Sequence, residues 1–230
     1  MAQLGTGFKP SSERWHVWRE LCALAGVLGP LLFTGVYTID GFLLPSYSAL
    51  MEPISNLGAE GPASWIQNTN FVLSGLLLVA FVAAFYQQLR PLINRGWLLA
   101  CTFFLALTAV ALACAGFFHT DLPGYPPVTL HGLIHDIIFF VVFFSLLFAI
   151  SITGLQLRKT PRWRAFGWYS ILTAVGMLAL FVLLAAMTDT HLAGLFQRIF
   201  EDEGFAWYVV IGFRFFTLER TQKREGSLRN

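Results

Sequence analysis

The chain reads as long apolar runs divided by short polar ones, and run length decides what they are. Crossing about 30 Å of hydrocarbon takes about 20 apolar residues in a helix. Five runs reach that length: Leu21 to Leu44, Trp65 to Tyr86, Trp97 to Phe118, Ile137 to Leu157 and Phe166 to Met187. A sixth, Phe205 to Leu218, supplies only about 21 Å of helix at about 1.5 Å per residue. Its helix must therefore start near Leu192, which brings Arg198, Glu201, Asp202 and Glu203 below the outer surface. Arg198 stands three residues before Glu201 and four before Asp202, so an ion pair along the helix would offset the cost of submerging them.

Composition turns these runs into a fold class. The 230 residues are 56% hydrophobic and 12% charged, where a soluble domain carries about 25% charge; mean hydropathy is +0.64. The expectation is an all-α polytopic membrane bundle of six transmembrane helices. About 20 polar residues precede the first run and no small-residue cleavage site follows it, so it reads as a span and not a signal peptide. Lys and Arg then set the orientation. With six spans, all of them except Arg198 fall on one side, and loops 45–64 and 119–128 contain none. Both termini are expected in the cytoplasm. Residues 1–20 form a cytoplasmic segment, 21–218 the transmembrane domain and 219–230 a basic cytoplasmic tail, where replacing Glu219 is expected to matter less than replacing Glu201 or Asp202. Cys22, Cys101 and Cys114 lie inside apolar runs and read as small hydrophobes.

Polar groups inside a membrane usually face the bundle interior or a water-filled cavity. Here they gather at the outer helix ends: Asp40, then Gln67, Asn68 and Asn70, then His119 and Asp121, then His131, His135 and Asp136, then Asp189 and His191. A polar pocket open to the outside accounts for this, with Ser55, Asn56, Gln197, Arg198, Glu201 and Asp202 as further lining. The second outer loop is stiffened by Pro123, Pro126 and Pro127, and the last two are expected to open the fourth helix. His131 and His135, at i and i+4, share a helix face. Three readings stay open: a hydrogen-bonded network, a metal site, or a metal-free acid/base pair. For zinc, His119 and Asp121, or Asp136, would join the two histidines. Haem is disfavoured, because two histidines on one helix face cannot take opposite axial positions; His119 with His131 is the only geometry left for it.

The chain resembles the DUF998 family of six-span bacterial and archaeal membrane proteins. The matching pieces are Tyr47-Ser48, Ile54-Ser55-Asn56-Leu57-Gly58, Asn68 with Phe71 and Gly75, Phe118 with Asp121, His131-Gly132 with His135, and Gly194-Leu195 with Gln197-Arg198. The resemblance implies a multi-pass protein of a bacterial or archaeal plasma membrane and carries no activity with it. The acidic Glu201-Asp202-Glu203 departs from the family pattern. A looser similarity, without ordered motifs, is to the alkaline ceramidase and adiponectin-receptor group of intramembrane zinc hydrolases. It implies roles for His131, His135, Asp121 and Ser55 as ligands, partner and catalytic hydroxyl.

Function therefore stays open between three classes. The first is a metal-dependent or acid/base enzyme acting on a lipid. The second is a binder or transporter of a lipidic or amphiphilic ligand. The third is a structural subunit docked on a larger membrane complex. Membrane lipids are expected partners in each, and nucleic acid in none.

Overall fold

The computed structural model describes residues 12–59, 61–122, 128–187 and 190–227. Pro123, Pro126, Pro127 and Asp189 lie outside these. Six α-helices carry the described chain, and no strand occurs among the described residues. They are α1 (Ser12–Leu43), α2 (Ser64–Leu89), α3 (Arg95–Ala115), α4 (Leu130–Leu157), α5 (Arg164–Met187) and α6 (Ala193–Ser227).

Five segments are long and apolar enough to cross a membrane: Trp15–Leu43, Ser64–Leu89, Arg95–Ala115, Leu130–Leu157 and Pro161–Met187. The 35-residue α6 is not among them, because its two ends carry too many charges. Two boundaries differ from the sequence expectation. The fourth helix begins at Leu130, not at the prolines, because the Thr129 side chain caps it by accepting from Gly132 N. The third ends at Ala115 and turns at Gly116, which leaves Phe118, His119 and Asp121 in the following loop.

Each helix packs on its sequence neighbours, and α6 returns to α1, so the six close into a ring. Small residues make the crossings close, as in membrane bundles generally. A Cβ on Gly75 of α2 would stand 2.5 Å from Ala113 N of α3, and one on Gly26 of α1 would run into the Phe81 ring of α2. Hydrogen bonds also tie neighbours: Asn70 Nδ2 donates to Phe33 O at 3.0 Å, Thr108 and Ser145 hydroxyls meet at 2.7 Å, and Trp207 Nε1 donates to Ser170 Oγ at 2.9 Å. The half of the ring nearer the two chain ends is filled by aromatic rings, among them Phe81, Phe85, Trp207, Tyr208 and Phe215, all fully buried. The half beneath the connection between α1 and α2 keeps a void.

One ion-pair cluster sits at the opposite end of the ring. Glu219 is 1% exposed and accepts from Arg19 at 2.7 Å, with His16 at 3.7 Å, and Gln88 of α2 donates to it. Burial sets Glu219 apart from the tail that follows it. It sits at the junction of α1, α2 and α6, where two basic side chains and an amide take its charge.

Candidate functional site

The connection between α1 and α2 folds back onto the start of α6 and roofs the ring. Its own geometry comes first. Tyr47 Oη donates towards Glu52 O and Pro53 O at 3.1 and 3.0 Å. The Glu52 carboxylate accepts from Ser48 N at 2.9 Å and Asn56 Nδ2 at 3.4 Å. A 3₁₀ turn, Ile54–Gly58, then buries Ile54 and Leu57.

Arg198 bolts this roof to α6. Its Nη1 donates to Ala49 O at 2.7 Å, Glu52 O at 3.0 Å and Gly194 O at 2.9 Å, and its Nη2 to Tyr47 Oη. The guanidinium also lies over the rings of Tyr37 and Tyr47, 5.5 Å from each centroid. Next to it, Gln197 Oε1 accepts from Ile54 N at 2.7 Å. The ion pair expected between Arg198 and Glu201 or Asp202 does not form: among the described residues the only ion pairs are those of Glu219. Asp202 accepts instead from Thr34 Oγ1 at 2.8 Å and Tyr37 Oη at 2.7 Å, tying α6 to α1.

Beneath the roof lies a partly open cavity of about 80 Å³, enclosed by α2, α3, α4, α5 and α6. Phe71, Phe139, Phe143, Phe200 and Phe205 supply most of its wall, and Leu112, Leu146 and Met177 more. Four polar residues face this apolar space: Ser55 from the roof, His135 from α4, and Gln197 and Glu201 from α6. The His135 Nδ1 lies 2.6 Å from Phe118 O. A carbonyl only accepts, so Nδ1 carries the proton, and in the neutral ring Nε2 is the acceptor. Glu201 makes no hydrogen bond or ion pair among the described residues.

The other histidines are elsewhere. His131 is exposed, one turn above His135 and outside the cavity, and its ring stacks on His119 at 4.7 Å. That stacking leaves no room for a haem plane between them. Asp121 accepts from Thr129 N and Thr129 Oγ1, both at 2.7 Å, and its carboxylate fills the space over Gly132. It secures the start of α4, and these two donors hold its carboxyl below the usual aspartate range. Asp136 is exposed. Among the described residues, no three His, Cys, Asp or Glu side chains are grouped to hold a metal ion, whereas zinc sites use three or four protein ligands. His119, His131, His135 and Asp121 thus divide between a surface stack, a cavity and a helix cap.

The amides expected in the pocket have structural partners. Asn68 Nδ2 donates to Gly58 O at 3.0 Å, and the buried Asn70 pairs with Phe33 O, Gln67 and Ser74. Sequence reasoning missed the phenylalanine walls, because nothing distinguishes five of the chain's 23 phenylalanines from lipid-facing ones. The Tyr37 hydroxyl that holds Asp202 was missed as well. Its position in α1, ten residues before Tyr47, gives no signal until α1 and α6 are seen side by side.

The stretches that carry the family resemblance are contacts with one another: Tyr47 with Arg198, Ile54 with Gln197, Gly58 with Asn68, Phe118 with His135, and Asp121 with Gly132. A family model described as "Protein of unknown function (DUF998)" matches residues 27–214. No curated protein and no solved structure matches the chain. A match running from α1 into the last turns of α6, over the roof, the cavity and all the pairs just named, means that the chain belongs to the DUF998 family.

Proposed function

We propose that this chain is a six-span protein of a bacterial or archaeal plasma membrane, with both termini cytoplasmic, that binds a small amphiphilic ligand in its central cavity. The observation that carries the binding reading is the cavity itself. Ligand sites are concave, mostly apolar, and furnished with a few polar groups that fix orientation. Here an aromatic wall meets one carboxyl, one imidazole, one amide and one hydroxyl. The orientation rests on the segregation of Lys and Arg. It also rests on α6 packing in the ring as the neighbour of α5 and α1. Residues 1–20 and 219–230 flank the bundle on the cytoplasmic side in this reading. Cysteine labelling from outside then reaches position 50 and not position 159; the reverse pattern inverts the topology.

The binding test is a fragment panel on purified full-length protein in neutral detergent, read as ligand-dependent thermal stability. A ligand at about 100 times its Kd adds roughly 2.7 kcal/mol to the folded state. Ala115 lines the cavity and is buried, so Ala115→Phe should abolish that gain. Stabilisation that survives Ala115→Phe unchanged, or a panel with no binder, refutes the reading. Ser55 and His135 share the cavity, and that observation favours a second reading, hydrolysis of an ester or amide. Turnover of a fluorogenic ester that disappears in Ser55→Ala would establish it.

A further inference from the structure

We propose that the cavity is selective for a primary ammonium carried on a small apolar body, with Glu201 as the charged recognition residue. The inference rests on the binding reading above and names its ligand class. Four features of the cavity lead to it.

The first is the sign of the free charge. Glu201 lines the cavity and has no hydrogen-bonding or ionic partner among the described residues. Its nearest cation in sequence, Arg198, is committed to three backbone carbonyls and a tyrosine hydroxyl. No other Lys or Arg lies in the outer half, since loops 45–64 and 119–128 have none. The cavity wall itself contributes no Lys or Arg to receive an anion.

The second is the set of atoms left over. His135 uses Nδ1 on Phe118 O, which leaves Nε2 as an acceptor. With the Glu201 carboxylate and the Ser55 hydroxyl, the cavity offers acceptors to a ligand that brings several N–H groups, as a primary ammonium does. The third is the wall. Aromatic faces attract a cation through the ring quadrupole, and Phe71, Phe139, Phe143, Phe200 and Phe205 surround the same space. The fourth is size. About 80 Å³ is roughly half the ~150 Å³ engineered cavity that takes benzene, so the occupant has a handful of heavy atoms. A phospholipid headgroup is excluded on the same grounds, because its phosphate would lie against phenylalanine.

The test compares isobutylamine with isobutanol, two probes of one skeleton, on the detergent-solubilised full chain at pH 7. A charge-assisted contact should make the amine bind at least about tenfold more tightly, the ratio that roughly 1.4 kcal/mol gives. Glu201→Gln should bring that ratio near one. If Glu201→Gln does not fold, Phe200→Leu serves, and should weaken the amine more than the alcohol. Equal affinities in the unaltered protein, a ratio that survives Glu201→Gln, or equal losses in Phe200→Leu would each overturn the ammonium assignment. Isobutanol binding without amine preference, abolished by Ala115→Phe, would sink this inference and leave the binding reading standing. Failure of both probes also overturns the ammonium assignment, and the fragment panel then judges the cavity.

Discussion

Arg198→Ala should be among the most damaging single changes at this end of the bundle, and its cost can be worked from the contacts. The guanidinium donates to Ala49 O, Glu52 O, Gly194 O and Tyr47 Oη. Hydrogen bonds to a charged group contribute about 1.5 to 3 kcal/mol each. Arg198 is only partly buried, so the low end applies, about 6 kcal/mol for four such contacts. Freeing the arginine chain returns roughly 2 kcal/mol of rotamer entropy, which leaves about 4 kcal/mol. At roughly 2–4 °C per kcal/mol for a chain of this size, the midpoint should fall by about 8–16 °C. Arg198→Lys should recover less than half, because a point ammonium cannot fork between the roof carbonyls and the Tyr47 hydroxyl. Trp207 is fully buried, so its fluorescence reports unfolding in detergent micelles. A Tyr47→Phe, Arg198→Ala double-mutant cycle should give a coupling of about 0.5–3 kcal/mol. A cost below about 1 kcal/mol for Arg198→Ala, or full recovery by lysine, would refute the clamp.

Three more outcomes follow from named contacts. Glu219→Ala should cost about 2 kcal/mol by the same assay, below the ~3–5 kcal/mol of a fully buried pair, since Arg19 is 27% exposed; no loss would return Glu219 to the solvated tail. Gly75→Ala drives a Cβ against the Ala113 backbone and should cost about 1–3 kcal/mol. Gly176→Ala meets only the mobile end of the Glu203 side chain and should cost less than Gly75→Ala; the opposite order would contradict the packing. The Asp121 carboxyl titrates below its usual range because Thr129 donates to it twice. A depressed folded value means that its contribution is present above the unfolded pKa and lost as pH falls through the folded one. The start of α4 should therefore stay capped through mildly acid pH, and a carboxyl-carbon NMR titration of Asp121 with an ordinary or raised midpoint would refute this.

Much of the fold is legible in the residues because membrane solvent enforces simple rules. Backbone polar groups must be satisfied within each segment, so long apolar runs are helices, and the five longest runs are the five helices that qualify as spans. Boundaries were less legible, because they depend on side chains from outside the run. α4 starts seven residues before the apolar run that announces it, since Thr129 and Asp121 close its first turn. The site was legible only in part. The i, i+4 rule places His131 and His135 on one face, and it says nothing of depth. One turn decides that His135 reaches the cavity and His131 stays at the surface. Arg198 shows the converse limit. Spacing alone offers it Glu201 and Asp202, but the roof, more than 140 positions away in sequence, presents carbonyls that hold it elsewhere.

That displacement of Arg198 explains the state of Glu201. In an isolated helix, Arg198, Glu201 and Asp202 would neutralise one another within one turn. Folding separates them by consequence of the roof. Arg198 rotates to the Tyr37 and Tyr47 side, where two rings and the loop carbonyls receive it. Asp202, on the adjoining face, is taken by Thr34 and Tyr37. Glu201 points the other way, into the ring, where the neighbours are phenylalanine, methionine and a histidine already bonded through Nδ1. A carboxyl in that setting is costly for the fold. In this reading the cost is borne because the void beside Glu201 is filled by a ligand that brings the missing donors. Removing the carboxyl should then raise the stability of the empty protein while removing its preference for a cation. Glu201→Gln that is both less stable without ligand and unchanged in selectivity would show instead that Glu201 serves the fold alone.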